Sequence, residues 1–175
     1  MPIPVPAGVE VEIDGGTVVV KGTMGTLTQS FNPDLSILRE NDVLRVTRPT
    51  DNKEHRALHG LTRALLANMV IGVNEGYRRT MELVGAGYRA QQSADKIILQ
   101  VGYSHPVEMT PLPGVTLTVE GNNRVHVEGI DKQAVGEMAA RIRRVRRPNA
   151  YTGKGIRHAG ERIRLKPGKA AGRKG

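Results

Sequence analysis

Two stretches of the chain repeat one another, and this repetition limits its fold more than any other feature. Residues 6–22 read PAGVEVEIDGGTVVVKG and residues 113–129 read PGVTLTVEGNNRVHVEG. Each leaves a Pro/Gly start, alternates apolar and polar residues, reverses at a glycine-containing turn, alternates again and closes on Gly. A period of two puts every second side chain on one face. Asp14-Gly15-Gly16 and Gly121-Asn122-Asn123 supply the conformations a tight reversal requires. Both stretches therefore read as β-hairpins whose connections differ by one residue.

Each half also continues to a helix. In the first, DNKEHRALHGLTRALLANMVIGV begins with the Asp51-x-x-Glu54 capping pattern and places Leu58, Leu61, Leu65, Met69 and Val70 on one face. In the second, DKQAVGEMAARIRRVRRP starts at Asp131, carries Val135, Met138, Ile142 and Val145 on one face, and stops at Pro148. Further strands are expected over 26–31, 43–48, 80–91, 96–103 and 105–109. Hairpins and helices that recur in this way imply an internal duplication. The expected fold is α+β: two tandem domains, 1–76 and 77–147, each an antiparallel sheet packed against one long helix. Beyond Pro148 periodicity vanishes and Gly, Pro and Lys accumulate, so 148–175 reads as an extended basic tail with little structure of its own.

The core of such a chain must be aliphatic, because 175 residues include one Phe, four Tyr and no Trp. No large aromatic-lined pocket is expected. The absence of cysteine excludes disulfides, thiolate nucleophiles and Cys-based zinc sites, and fits a reducing, intracellular setting. The N-terminal MPIPVPAGVEVEI lacks the basic and apolar regions of a signal peptide, and no apolar run reaches the roughly 20 residues that span a bilayer. A soluble cytoplasmic protein is expected.

Charge points to a partner once it is located. Residues 1–140 hold 13 Lys or Arg against 16 Asp or Glu, a balance of −3, whereas residues 141–175 hold 13 against the single Glu161, a balance of +12. A solvated surface interleaves both signs, so a block of one sign this dense argues for a polyanion. Arg141, Arg143, Arg144, Arg146 and Arg147 crowd the end of the second helix. Cations there complement the negative end of the helix dipole, but that accounts for one or two arginines, not five. Lys154, Arg157, Arg162, Arg164, Lys166, Lys169, Arg173 and Lys174 follow in a glycine-rich setting. Arginine forks suit phosphates, glycines such as Gly155 allow close backbone approach, and Tyr151 offers a ring for an unpaired base or a sugar.

Several motifs that resemble known sites fail on context. Gly153-Lys154-Gly155 is followed by Ile156 and follows no strand, unlike a phosphate-binding P-loop. Gly85-Ala86-Gly87-Tyr88-Arg89-Ala90 matches a dinucleotide fingerprint, but the next residues return to a strand without room for the crossover helix; the glycines read as a bulge or a close approach. His55 and His59 stand four apart on a helix, yet Arg56 occupies the place where a metalloprotease carries Glu. His105, His126 and His158 stand alone, and no carboxylate pair suggests acid–base chemistry. Glu161 reads as a structural partner for a nearby arginine. Apolar anchors for a membrane surface are too few in the tail, and no helix-turn-helix or zinc finger is present to enter a DNA groove. No catalytic residue, cofactor, metal, membrane or small-molecule substrate is expected. An enzyme acting on an acidic substrate would need a convergent set of titratable groups that the sequence does not offer.

The motifs RALHGLTRALLANMV at 56–70, GYSHPV at 102–107, GIDKQAVG at 129–136 and RRPNAYTGKGIRHAGE at 146–161, in that order on a duplicated α+β chain, resemble the bacterial large-subunit ribosomal protein L-six family. The likeness spans nearly the whole chain. It implies a structural constituent of the large ribosomal subunit that binds large-subunit ribosomal RNA mainly through its C-terminal half. It also implies a position near the sarcin–ricin loop, with ribosomal proteins of the stalk base as neighbours and translation factors docking nearby. A generic RNA-binding protein or chaperone without ribosomal specificity is the remaining alternative. The family pattern falls on Pro148, Tyr151, Gly153, Lys154 and Gly155, then on Arg157, Gly160 and Glu161. The residues expected to contact RNA are Arg143, Arg144, Arg146, Arg147, Tyr151, Lys154, Gly155, Arg157, Arg164, Lys166, Lys169, Arg173 and Lys174. Thr152 stands where members of the family usually carry a basic residue, and the chain opens at Met1-Pro2-Ile3 where many carry a short basic segment first.

Overall fold

The alternating runs form strands, and the two long periodic runs form helices. A computed structural model describes residues 2–164, which divide into two units: residues up to Tyr77 with Ile130–Lys132, and the remainder. The first unit contains β1 (Ile3–Pro4), β2 (Glu10–Asp14), β3 (Thr17–Gly22), β4 (Gly25–Ser30), β5 (Ser36–Glu40), β6 (Val43–Thr47) and α1 (Lys53–Asn74). Its strands form two antiparallel sheets, ordered β1-β6-β5 and β2-β3-β4. The β2–β3 hairpin closes with Asp14 opposite Thr17, which leaves Gly15 and Gly16 as the turn.

The second unit continues with β7 (Tyr77–Val84), β8 (Arg89–Ser93), β9 (Lys96–Gln100), β10 (Val107–Met109), β11 (Val115–Glu120), β12 (Arg124–Gly129), α2 (Lys132–Val145) and β13 (Gly155–His158). Its sheets are ordered β10-β9-β8 and β11-β12-β7-β13. The duplication is plain in this topology: among the described residues six strands and a helix appear twice in the same order, and β13 is added to the second copy. The equivalence of the hairpins differs from the sequence reading. Hairpin β2–β3 corresponds by topology to β8–β9, and β11–β12 corresponds to β5–β6. Alternation around a glycine turn marks any hairpin, so sequence likeness at those positions does not identify the counterpart.

Strand 80–91 of the sequence reading is two strands. The chain turns at Gly85, whose φ is +150°, and a Cβ there would lie 2.8 Å from the Tyr88 ring. These glycines serve a close approach, and β8 follows where a dinucleotide site would have a helix. Strands β1 and β5 were not anticipated, being respectively too short and too exposed to show a period.

Helix α1 also corrects the reading in two places. Its N-cap is Asn52, whose Oδ1 accepts the His55 N–H at 2.7 Å, while Asp51 accepts from Arg48 Nε at 2.9 Å. The buried face carries Thr62, Leu66, Met69, Val70 and Val73, and Leu61 is 55% exposed. The helix is apolar on more than one side, so the sheets, not the periodicity, decide which side is covered. Helix α2 buries Val135, Met138 and Ile142 as expected and Ala139 besides, whereas Val145 is only half-buried. It ends three residues before Pro148, whose ring disfavours helical backbone before it. Both cores are aliphatic: Val18, Val20, Leu44 and Leu66 in the first unit, and Met81, Ile97, Leu99, Val125 and Ile142 in the second, are shut off from solvent.

A candidate nucleic-acid interface in the second unit

The basic end of the chain is anchored by β13, which pairs antiparallel with β7 through Gly155–Val84, Ile156–Leu83, Arg157–Glu82 and His158–Met81. Ile156 is fully buried, and its N–H donates to the Arg146 carbonyl at 2.7 Å. The segment from 148 is therefore not structureless throughout. Four residues with a single buried isoleucine are too short to display a period, yet a backbone ladder plus one buried side chain is enough to hold them.

Between α2 and β13, residues 147–154 form a loop closed on itself. The Asn149 side-chain oxygen accepts the N–H groups of Tyr151 at 2.7 Å and Thr152 at 3.3 Å. The Gly153 N–H donates to the Asn149 carbonyl and the Asn149 N–H to the Lys154 carbonyl, both at 2.8 Å. The Lys154 N–H reaches the Thr152 hydroxyl at 3.4 Å. These amides are occupied by the loop itself. Gly155 is needed for the same closure: its φ is +147°, and a Cβ would lie 2.6 Å from the Arg147 carbonyl oxygen. The glycines thus shape the loop, and what it presents outward is side chains: Arg147, Lys154 and Tyr151, the last 59% exposed.

The remaining arginines fall into classes that the sequence does not separate. Arg143 is bound to Glu161, Nη2 to Oε1 at 2.8 Å, and the other Glu161 oxygen accepts the His158 N–H at 3.0 Å. Glu161 is the structural partner anticipated for it. Arg157 Nε lies 3.8 Å from Glu82, and Arg144 lies 3.9 Å from Glu137, which also accepts from Arg141 at 3.0 Å. Arg146 stacks over the Tyr103 ring, its guanidinium carbon 5.0 Å from the centroid. The Tyr103 hydroxyl, then Tyr88, push the Arg146 pKa upward. Arg162 and Arg164 are exposed. Lys166, Lys169, Arg173 and Lys174 lie outside the described residues.

Sequence reasoning missed Tyr103, which is 46% exposed and donates its hydroxyl proton to the Val145 carbonyl at 2.7 Å. The available signal was a tyrosine between Gly102 and Ser104 in a chain poor in aromatics. His126 was read as standing alone, but the fold joins it to two neighbours across three strands. Its Nδ1 meets the Thr80 hydroxyl at 2.9 Å and its Nε2 meets the Glu120 carboxylate. Both His55 and His59 are held by local partners: His59 Nε2 bonds the Val46 carbonyl at 2.7 Å, and His55 lies 3.5 Å from Asp34. Among the described residues no cluster fit to hold a metal is found, and no helix is long and apolar enough to cross a membrane.

A family model described as Ribosomal protein L6 matches residues 5–76 and 84–159, one match in each repeat. Similar proteins include the large ribosomal subunit protein uL6 of Moorella thermoacetica, 55% identical over 174 residues that cover 99% of this chain and 95% of that one. The uL6 protein of Caldicellulosiruptor saccharolyticus is 54% identical over 169 residues, covering 97% and 93%. That of Listeria monocytogenes is 55% identical over 167 residues, covering 95% and 94%.

Proposed function

The chain belongs to the ribosomal protein L6 family, and from that premise we propose that its second unit anchors it to large-subunit ribosomal RNA through the surface around the 147–154 loop. The family is a structural component of the large ribosomal subunit, not an enzyme, and translation in the cytoplasmic ribosome is its setting. Arg147, Tyr151, Lys154 and Arg164 are exposed at the basic end and take the direct contacts; Arg144 and Arg146 flank them. Arg143 and Arg157, tied to Glu161 and Glu82, hold that end in shape. In this reading the RNA is the region of the sarcin–ricin loop, ribosomal proteins of the stalk base are neighbours, and translation factors dock nearby.

The observation that carries the proposal is the balance of +12 in residues 141–175, with Arg147 and Lys154 exposed on a loop whose backbone N–H groups at 149 and 151–154 are already bonded. The loop's exposed side chains, among them the cations Arg147 and Lys154 and the ring of Tyr151, are what it offers to a partner. The test is binding of the full chain to large-subunit ribosomal RNA across a salt series, with unrelated structured RNA as competitor. If about six phosphates are neutralised, log affinity falls with log salt at a slope of about −4 to −5. A flat salt response overturns the electrostatic reading, and equal affinity for both RNAs makes the chain a general RNA binder.

A further inference from the structure

Beside Tyr103, Gly87, Gln100, Gly102, Ser104, His105 and Pro106 border an open depression of about 350 Å³. We propose that this depression receives one unpaired RNA base, stacked against the Tyr103 ring. The inference rests on the reading that the second unit binds RNA, and adds a second contact at a place distinct from the 147–154 loop.

Three observations support it. The chain has four tyrosines for its cores, and the fold leaves two of them, Tyr103 and Tyr151, substantially exposed. An aromatic ring left in water forgoes its burial energy, and both of these rings accompany a dense group of arginines. Next, the Tyr103 ring is already fixed: its hydroxyl is bonded to the Val145 carbonyl at 2.7 Å, and Arg146 covers part of it at 5.0 Å. A ring held in place before binding loses little rotamer freedom when a base arrives, which is what a stacking platform requires.

The third observation is the chemistry of the rim. Ser104 offers a hydroxyl and His105 an imidazole. The Gln100 side-chain oxygen accepts from Arg89 Nε at 2.6 Å, which leaves its amide N–H groups as donors. Gly87 and Gly102, with φ of +76° and +86°, keep the rim low, and a Cβ at Gly87 would meet nothing within 4 Å. The volume is at the small end of ligand sites, which run from roughly 300 to 1,000 Å³, and suits one base better than a dinucleotide. Arg146, whose guanidinium covers part of the ring, takes the adjoining phosphate. Unpaired bases in folded RNA are recognised by this combination of an aromatic face, edge donors and acceptors, and a neighbouring guanidinium.

Tyr103→Trp gives the chain its only tryptophan, and hence a clean fluorescent reporter. Titrating this full-length variant with large-subunit ribosomal RNA is expected to quench the indole emission at the stoichiometric point. Tyr103→Phe should bind as the parent does. Tyr103→Ala, checked for an unchanged thermal transition, should bind roughly tenfold more weakly, as expected for one lost base–aromatic stack. Its salt slope should be unaltered, because no phosphate contact is removed. Chemical probing should show one base protected by the parent and not by Tyr103→Ala. If RNA binds with no quenching and Tyr103→Ala keeps its affinity, the base site is overturned while RNA binding by the second unit stands. If Phe and Ala variants weaken equally, the hydroxyl bond to Val145 is what matters, and stacking is again overturned. If the parent fails to bind the RNA, the functional reading itself fails, and the base site falls with it.

Discussion

The two units have one strand topology and opposite equipment. In the first, sheets β1-β6-β5 and β2-β3-β4 and helix α1 complete the fold. The second repeats that plan with β8-β9-β10, β11-β12-β7 and α2, then adds β13 along the free side of β7. The addition brings the basic end of the chain back onto the body of the unit. A duplicated scaffold has thus been specialised at its edge, in a loop and a strand, without altering the layers that bury the core. The lesson is that the apolar pattern is constrained in both copies, whereas surface charge and an appended strand are free to differ.

The comparison is tested most severely by substitutions in the cores. Ile156 has no counterpart in the first unit, and Ile156→Ala is expected to destabilise the second by about 2–5 kcal/mol, as for other fully buried aliphatics. Amide exchange should report the damage in β7 and β12, with β2 and β3 still protected. Leu66→Ala, in the α1 core, should cost a similar amount with the reverse pattern. Leu61→Ala, on the same helix but exposed, should stay within about 0.5 kcal/mol. Equal loss of protection in both units after Ile156→Ala would mean that the strand is not an addition confined to one copy.

Charge gives the next effect. The triple variant Arg147→Ala, Lys154→Ala, Arg164→Ala should make the salt slope of RNA binding shallower by about 2–3, at roughly 0.7 to 0.9 per phosphate contact. The first unit has its own basic group, in which Arg48, Lys53 and Arg56 border an open surface depression. Replacing those three should leave the slope unchanged. If the two triple variants behave alike, RNA contact is shared between the copies and the asymmetry proposed above is wrong.

Part of this organisation was legible in the sequence, for physical reasons. The hairpins β2–β3 and β11–β12 declare themselves because alternation and turn chemistry are local. Both helices declare themselves through length and period. What failed depended on partners distant in the chain. Leu61 and Leu66 are equally apolar, and only the sheets decide which is covered. Gly155 reads as an invitation to a phosphate until the Arg147 carbonyl is seen 2.6 Å from where its Cβ would stand. Arg143 and Arg147 are indistinguishable by composition, but one is bound to Glu161 and the other faces solvent. The charge block marks the region proposed as the interface, and the fold separates its arginines into ion-paired and exposed ones.

A smaller effect concerns how the 147–154 loop is held. Asn149→Ala removes the side-chain oxygen that accepts two backbone N–H groups, and should cost about 1–2 kcal/mol. RNA affinity should weaken with no change in salt slope, because the cations remain and only their placement loosens. A parallel loss of slope would mean that Asn149 itself touches the RNA.

The smallest difference between the units is expected in their response to acid. In the second, the Glu120 carboxyl is drawn below the ordinary glutamate value of 4.5, first by its hydrogen bond to His126, then by that residue's charge, with Arg124 and Arg78 adding to it. A depressed carboxylate pKa stabilises the fold above the unfolded value, and that contribution is lost as pH falls through the folded one. Relative to Glu120→Gln, the parent should therefore melt higher near neutral pH, with the gap closing below about pH 4.5. The matching sheet of the first unit carries buried Leu44 and Val46 on β6, and its Arg45–Glu40 pair lies in the open at 3.7 Å. Pairs so exposed contribute little. Glu40→Gln should leave the pH profile of melting almost untouched. If both substitutions shift the profile alike, the buried imidazole adds nothing beyond surface charge, and the two sheets differ less than their side chains suggest.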